Sequence, residues 1–482
     1  MATDPDRLAL ALVQQYLHEH GYGRALEALE HEAGLRVKDE AQQGSQLLQL
    51  VYDHLERQLA DTCQDDAAVR RRRLEEELLA SGSATSPATC PSRLQRRIAG
   101  LHASNIICVQ CWPQRRLAVT GSSDGTVTVV GYDGSLTRSM QAGSSGVLCL
   151  ALAGNGAGSG EGEGSSSLVA AGCMDGSIAV LDAASGTLQA RCQPHRKYVV
   201  AAAWAADGRH LVTGSWDHSY AVHRLQRQQP AAAQQPTAAA LQVAAADDEA
   251  AGEPASSCAG WELVRVHEAQ TAAKVNAVLP LPSSSGDDGD PGSSSTGSST
   301  SSSFLVAVQG SNYLCHLSIS SSSPATAGDS GAGSPAAAAA VVREEARINM
   351  NARGDDHVSF SAAHLALSPC ARLLLVSADN GRLLVYERHG WSLLRSIIGL
   401  PTEQFHQYCA AFDRTSSYVM AAAAHGALAI FHVGSATRVA LLPAHNKNVR
   451  GLCYDGHANL LLTVSFDRTL GVWEAAGNEL EG

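Results

Sequence analysis

Aromatic residues are scarce in this chain. Phenylalanine and tryptophan occur six times each and tyrosine eleven times among 482 residues, so alanine, valine and leucine must fill any core. Positive charge is also in deficit, with 35 lysines and arginines against 47 aspartates and glutamates, a net charge of −12. So acidic a balance excludes direct nucleic-acid binding as the main business of the chain. No run approaches the ~20 consecutive apolar residues that cross a bilayer, so no membrane partner is expected. Asp4 and Asp6 stand where a secretory leader would be basic, and no leader is read there.

Twelve cysteines are scattered one by one rather than grouped as a framework. The single CxxC, Cys108-Val-Gln-Cys111, falls in a β-rich run with no second pair and no HxxxH nearby. A zinc site needs four converging ligands. Free buried thiols, no metal, no cofactor and a reducing, cytoplasmic compartment are therefore expected.

What the chain does have is self-similarity. A histidine is followed 22 residues later by an aspartate in a tight-turn context three times: His102 and Asp124, His195 and Asp217, His445 and Asp467. The frames also match, from His195-Arg-Lys-Tyr-Val199 to Gly-Ser-Trp-Asp217 and from His445-Asn-Lys-Asn-Val449 to Val-Ser-Phe-Asp467. A period near forty with short β-rich runs and Gly-Asp turns indicates a β-propeller of four-stranded blades.

The same template lays out seven units over 102–474. The fourth is degenerate and starts at His267; the fifth starts at His357, with Asn380 or Asp379 in the acidic place of a turn read as one residue longer. Four stretches interrupt the pattern: 153–167, 226–258, 281–303 and 320–340, rich in Gly, Ser, Gln and Ala. Such compositions bury too little apolar surface to offset the cost of ordering, so they read as insertions. Without them each unit has about 40 residues, the expected size. The first and third insertions fall between the first two strands of blades two and four. The others fall between the last two strands of blades three and four. Both kinds of connection leave a blade at one end, and the histidines and turn aspartates lie at the other.

These residues resemble the WD40 family, whose blades carry a His, Ser/Thr, Asp and Trp hydrogen-bond relay. The resemblance assigns His445, Thr463, Asp467 and Trp473 to a complete relay in blade seven. Blade three has His195, Thr213 and Asp217, with His223 at the tryptophan place. Blade one has His102, Thr120 and Asp124, with Val130 there. A Ser/Thr-His-Asp set could suggest nucleophilic catalysis, but a triad needs one convergent site with an oxyanion hole. Sets that recur once per blade instead satisfy buried polar groups, and no enzyme is expected. After Trp473 the chain is too short and polar for another strand. The segment Arg93-Leu-Gln-Arg-Arg-Ile98 occupies the place before His102 that Arg438-Val-Ala-Leu-Leu442 occupies before His445, and is expected to close the last blade.

The N-terminus differs in kind. Residues 1–35 pattern as two helices, Leu8, Leu12, Val13, Tyr16 and Leu17 on one face of the first, Leu26 and Leu29 on the second. The string from Leu12 through Tyr16-Leu17, Gly21-Tyr22, Leu26 and Leu29 to Glu32-Ala33 resembles the LisH motif, which implies homodimerisation through Leu12, Tyr16, Leu17, Tyr22, Leu26 and Leu29. Residues 36–91 read as a helical extension and linker. There Arg71, Arg72 and Arg73 meet Glu75, Glu76 and Glu77 as i,i+4 pairs on a solvated helix. The same Arg70–Arg73 run is a candidate nuclear import signal.

The expected architecture is mainly β: a seven-bladed propeller over 92–482, preceded by a small all-α module. The LisH-plus-WD40 arrangement implies a non-enzymatic homodimeric scaffold for protein partners. The alternative is a substrate receptor of a cullin-type ubiquitin ligase, although the arginine such receptors often carry three residues beyond the blade tryptophan is Ala184, Gln226 or Ala476 here. The partner surface is expected around Trp216 and Phe466, each just before a turn aspartate, with Arg196, Lys197, Tyr198, Asn446, Lys447 and Arg468 around them. Aromatic and arginine side chains are the types enriched at binding hot spots.

Overall fold

The structure, a computed structural model, describes positions 10, 13, 14, 16–18, 22–33, 66–81, 87, 89–154, 167–227, 260–282, 301–321, 340–351, 354–358 and 360–476. Seven four-stranded antiparallel sheets form the blades of a β-propeller. They fall into two compact units, one holding blades one to four over most of 100–347, the other blades five to seven and the N-terminal helices.

Blades one to four occupy 106–141, 147–192, 199–270 and 275–349, with strands in chain order. Small aliphatic residues fill the spaces between neighbouring blades. Val119, Val129, Leu150, Val169 and Leu181 pack between blades one and two, and Val180, Leu211 and Leu263 between two and three. Val222, Phe304, Val306 and Leu317 do the same between three and four. Alternation along each strand gives both sheet faces such residues, because both are covered.

Two boundaries differ from the sequence reading. His267 does not open blade four: it lies in the outer strand of blade three, Trp261–Gln270, opposite Val222. Strands also run further into the low-complexity stretches than composition suggests. Ser219–Arg227 ends in register with Trp261, Val275–Leu281 pairs with Ser301–Val308, and Tyr313–Ser321 covers serines 318, 320 and 321. Serine in these strand ends still makes ladder bonds with its backbone, which composition does not reveal.

Blades five and six occupy 362–397 and 410–443, again in chain order. The seventh sheet departs from that order, running Pro91–Ala99, Thr469–Ala475, Leu460–Ser465, Val449–Asp455. Arg93 lies opposite Glu474, Leu94 opposite Trp473 and Ile98 opposite Leu470, and the Arg93 guanidinium meets the Glu474 carboxylate at 2.7 Å. The segment before the first repeat thus closes the last blade and covers its edge.

Among the described residues, two complete helices precede the sheets. Helix α1 is Gly23–Ala33, and residues 16–18 before it are helical. Leu26 and Leu29 are half-buried, Tyr22 is 55% exposed, and the Tyr16 and Tyr22 rings stack with centroids 6.5 Å apart. Leu8 and Leu12 lie outside the described residues. Helix α2, Asp66–Ala80, carries the three arginine–glutamate pairs. It is not solvated all round. Leu78 is 6% exposed and packs, with Leu74, into the hydrophobic cluster of blades five and six. Glu77 pairs with Arg372 at 3.1 Å, and the Ser81 carbonyl accepts from His432 at 2.7 Å.

Candidate functional site

Each turn between the second and third strands of a blade presents a short loop at one end of the sheet, and the loop entering the blade folds against it. In blade seven the two are fastened by the full relay. Trp473 Nε1 donates to Thr463 Oγ1 at 2.9 Å, the Thr463 hydroxyl to His445 Nε2 at 2.8 Å, and His445 Nδ1 to Asp467 Oδ2 at 3.0 Å. Asp467 also accepts from the Asn446 amide at 3.0 Å and from the Thr469 amide and hydroxyl at 3.0 and 2.7 Å. Every member of the chain is satisfied.

Blade three repeats the arrangement with one substitution. His195 Nδ1 donates to Asp217 at 3.1 Å and the Thr213 hydroxyl to His195 Nε2 at 2.9 Å. His223 takes the tryptophan's place and donates through Nε2 to Thr213 Oγ1 at 3.2 Å, leaving its buried Nδ1 without a partner. Burial, with His195 nearby, pushes the His223 imidazole down to about 3, so it is neutral.

Blade one departs further. Its His102 Nδ1 lies 3.9 Å from Asp124, and the Thr126 hydroxyl stands between them, accepting from His102 at 2.6 Å and donating to Asp124 at 2.5 Å. In blade five the exposed His357 takes no part. Nor is the turn there longer. The backbone bond from Gly381 to Ala378 matches that from Gly125 to Ser122. The work of one aspartate is split, with Asn380 bonding the Arg382 amide and Asp379 the Ser361 amide of the entry loop.

Charge follows the same logic. Burial lowers the imidazoles of His102, His195 and His445, against the opposing pull of the nearby aspartates. For the aspartates burial pulls upward, but hydrogen bonds outweigh it and hold them below the usual carboxylate range. The donors are Thr126, Ser122 and the Ser104 amide for Asp124, Ser219 and the Arg196 amide for Asp217, and Thr469 and the Asn446 amide for Asp467. Neutral histidine donating to a charged aspartate is a holding arrangement. The hydroxyls are committed at both ends.

The residues outside the relays are left to face solvent. In blade three, Arg196, Lys197 and Tyr198 of the entry loop are exposed, as is Trp216 of the turn, Tyr198 by 40% and Trp216 by 36%. Their rings are 5.3 Å apart, and the Lys274 ammonium sits 4.5 Å from the Trp216 ring. In blade seven Asn446, Lys447 and Arg468 are exposed, but Phe466 is half-buried with the Arg450 guanidinium 4.8 Å from its ring. Sequence reasoning missed Lys274, Arg450 and His218. Lys274 immediately precedes Val275 just as Tyr198 precedes Val199, which was the available signal. His218 fills a turn place that glycine holds in blades one and two.

Blades fastened by such relays define a WD40-type seven-bladed β-propeller. A family model described as WD domain, G-beta repeat, matches residues 186–222 and 436–474. The first match stops one residue short of His223 and the second includes Trp473. No curated protein matches the chain. No helix among the described residues is long and apolar enough to cross a membrane.

Proposed function

We propose that the chain is a non-enzymatic protein-interaction scaffold whose propeller binds protein partners at the turn end of its blades. The observation that carries this reading is the exposed Tyr198–Trp216 pair beside unspent cations, set on a turn whose relay groups are already fully used. A rigid, relay-fastened turn bearing exposed aromatics is suited to recognition, since ordering costs have been met within the fold.

The finer proposal is a homodimer formed through the N-terminal helices. Helix α1 is short, and its half-buried Leu26 and Leu29, with the exposed Tyr22 just before it, form too little surface for a core of their own. Pairing two chains would bury them and would hold two propellers together, raising avidity for repeated partners. Light scattering on the full chain and on Leu26→Asp/Leu29→Asp tests this. The wild type is expected at twice its 50.2 kDa chain mass and the variant at once that mass; a monomeric wild type removes the dimer. Point variants are preferable to a cut at residue 92, which would strip Leu78 from blades five and six. Affinity capture with wild type and Trp216→Ala, read for microtubule-motor components, corepressors or cullin subunits, tests the partner class. A partner set untouched by Trp216→Ala would place binding elsewhere. Residence is proposed in the cytoplasm, with nuclear entry through Arg70–Arg73, and localisation imaging of wild type and Arg70–Arg73 variants tests both.

A further inference from the structure

We propose that the turn of blade three, with the entry loops of blades three and four, docks an acidic linear segment of a partner protein. This deepens the scaffold reading and rests on it. Three independent features converge there.

The first is an open aromatic wall. Trp216 is flanked by Tyr198 at 5.3 Å and by the Lys274 ammonium at 4.5 Å, and its edge remains exposed. The second is charge left over. Among the described residues, three neighbouring carboxylates have partners of their own. Asp217 holds His195, Ser219 and the Arg196 amide, Asp175 faces Arg191 at 3.6 Å, and Glu268 faces Arg265 at 2.6 Å. Arg196, Lys197 and Lys274 pair with no carboxylate among the described residues. On a chain of net charge −12, three unspent cations around exposed aromatics complement an anionic partner.

The third is the turn itself. Residue 218 follows the aspartate and has φ +69°, where blades one and two have Gly125 and Gly176 at +81° and +89°. A Cβ on those glycines would meet the Gly143 carbonyl at 2.2 Å and the His195 carbonyl at 2.1 Å, so the next entry loop covers both turns. Blade three instead carries an exposed histidine in this strained conformation. The next entry loop still bonds this turn, from the Thr271 amide to the His218 carbonyl at 2.7 Å, but it leaves room for a side chain where the other two have none, and that side chain is an exposed, hydrogen-bonding imidazole. Blade seven shares the strain, with Arg468 at φ +65°, but its aromatic lies half-buried beneath Arg450, which leaves blade three the better site.

A peptide fits better than a nucleic acid. An apolar residue of the peptide would lie against Trp216 and Tyr198, with flanking carboxylates meeting Arg196, Lys197 and Lys274. A nucleic acid would need cations following the phosphates along a track, against the repulsion of an acidic chain.

The test is fluorescence anisotropy on the full chain with three labelled probes. They are the peptide Glu-Glu-Leu-Glu-Asp, its twin with Gln for Glu and Asn for Asp, and an oligothymidylate of equal length. The acidic peptide should bind at least about tenfold more tightly than the other two. Trp216→Ala and Lys197→Glu/Lys274→Glu, each with an unchanged melting temperature, should weaken it at least about tenfold. Lys447→Glu/Arg468→Glu should leave it nearly unchanged. Equal binding of the twin or the oligothymidylate, or equal weakening by the blade-seven variant, would overturn the proposal. If partners are captured from cells through a surface that the blade-three variants leave intact, the scaffold reading survives and this site does not.

Discussion

Ala221 and Gly471 occupy the same place in their blades, opposite Thr213 and Thr463, and the choice between them decides what caps the relay. A Cβ at Gly471 would lie 2.7 Å from Thr463 Oγ1 and 3.0 Å from Trp473 Nε1. Glycine there makes room for the indole. Blade three, with alanine at this place, has the smaller imidazole of His223, and blade one pairs Thr128 with Val130. Gly471→Ala should therefore break the Trp473–Thr463 bond and cost about 1–3 kcal/mol, read as a lowered denaturant midpoint. His223→Trp should destabilise alone, and Ala221→Gly/His223→Trp should recover stability; no recovery would refute the steric account. His223 also makes a pH prediction. It is 1% exposed and neutral, with its folded value near 3 against an ordinary 6.5. The unfolded chain binds a proton here below pH ~6.5 and the folded chain does not until about pH 3. Stability is thus fully present above pH ~6.5 and falls with acidification, by up to about 1.4 kcal/mol per pH unit for this group. His223→Leu should flatten that slope between pH 6 and 4 in urea titrations.

Among the elements, helix α2 shows best where sequence reading reaches its limit. The spacing of Arg71, Leu74, Glu75 and Leu78 is that of any surface helix with ion pairs. Its docking depends on Gly434, where a Cβ would sit 2.3 Å from the Leu78 carbonyl, and on His432, some 350 residues downstream. No local pattern announces so distant a partner. The relays were legible because they rest on fixed spacing within one blade. Thr126 between His102 and Asp124 was not, since Thr469 and Ser219 at the same place leave the direct bond intact. The closing strand was legible by analogy with the outer strand of blade six. Leu78→Ala should cost about 2–4 kcal/mol and raise hydrogen exchange along Asp66–Ala80 more than in the blades. Glu77→Ala, which removes an exposed pair with Arg372, should change stability by less than about 1 kcal/mol. Equal effects would mean that the ion pair holds the helix as firmly as the leucine does.

Over the whole molecule, long connections are carried at little cost because their ends are already fixed. Arg227 and Trp261 lie opposite each other in the ladder, with the guanidinium 5.2 Å from the indole ring. Loop-closure cost grows only slowly with length. Replacing residues 228–260 by a two-residue Asn-Gly hairpin turn should leave the melting temperature within about 3 °C; loss of soluble protein would show that the stretch is needed for folding. The seventh sheet obeys a harsher rule. Its outer strand, Pro91–Ala99, is made early, whereas the strand it lies against, Thr469–Ala475, is made some 370 residues later. At ribosomal speeds of about 5–20 residues per second, that separation is on the order of 20–70 seconds. For all that time the segment has no partner strand to pair with. The final blade therefore cannot form while the chain is being written; it is completed only when the last strands emerge.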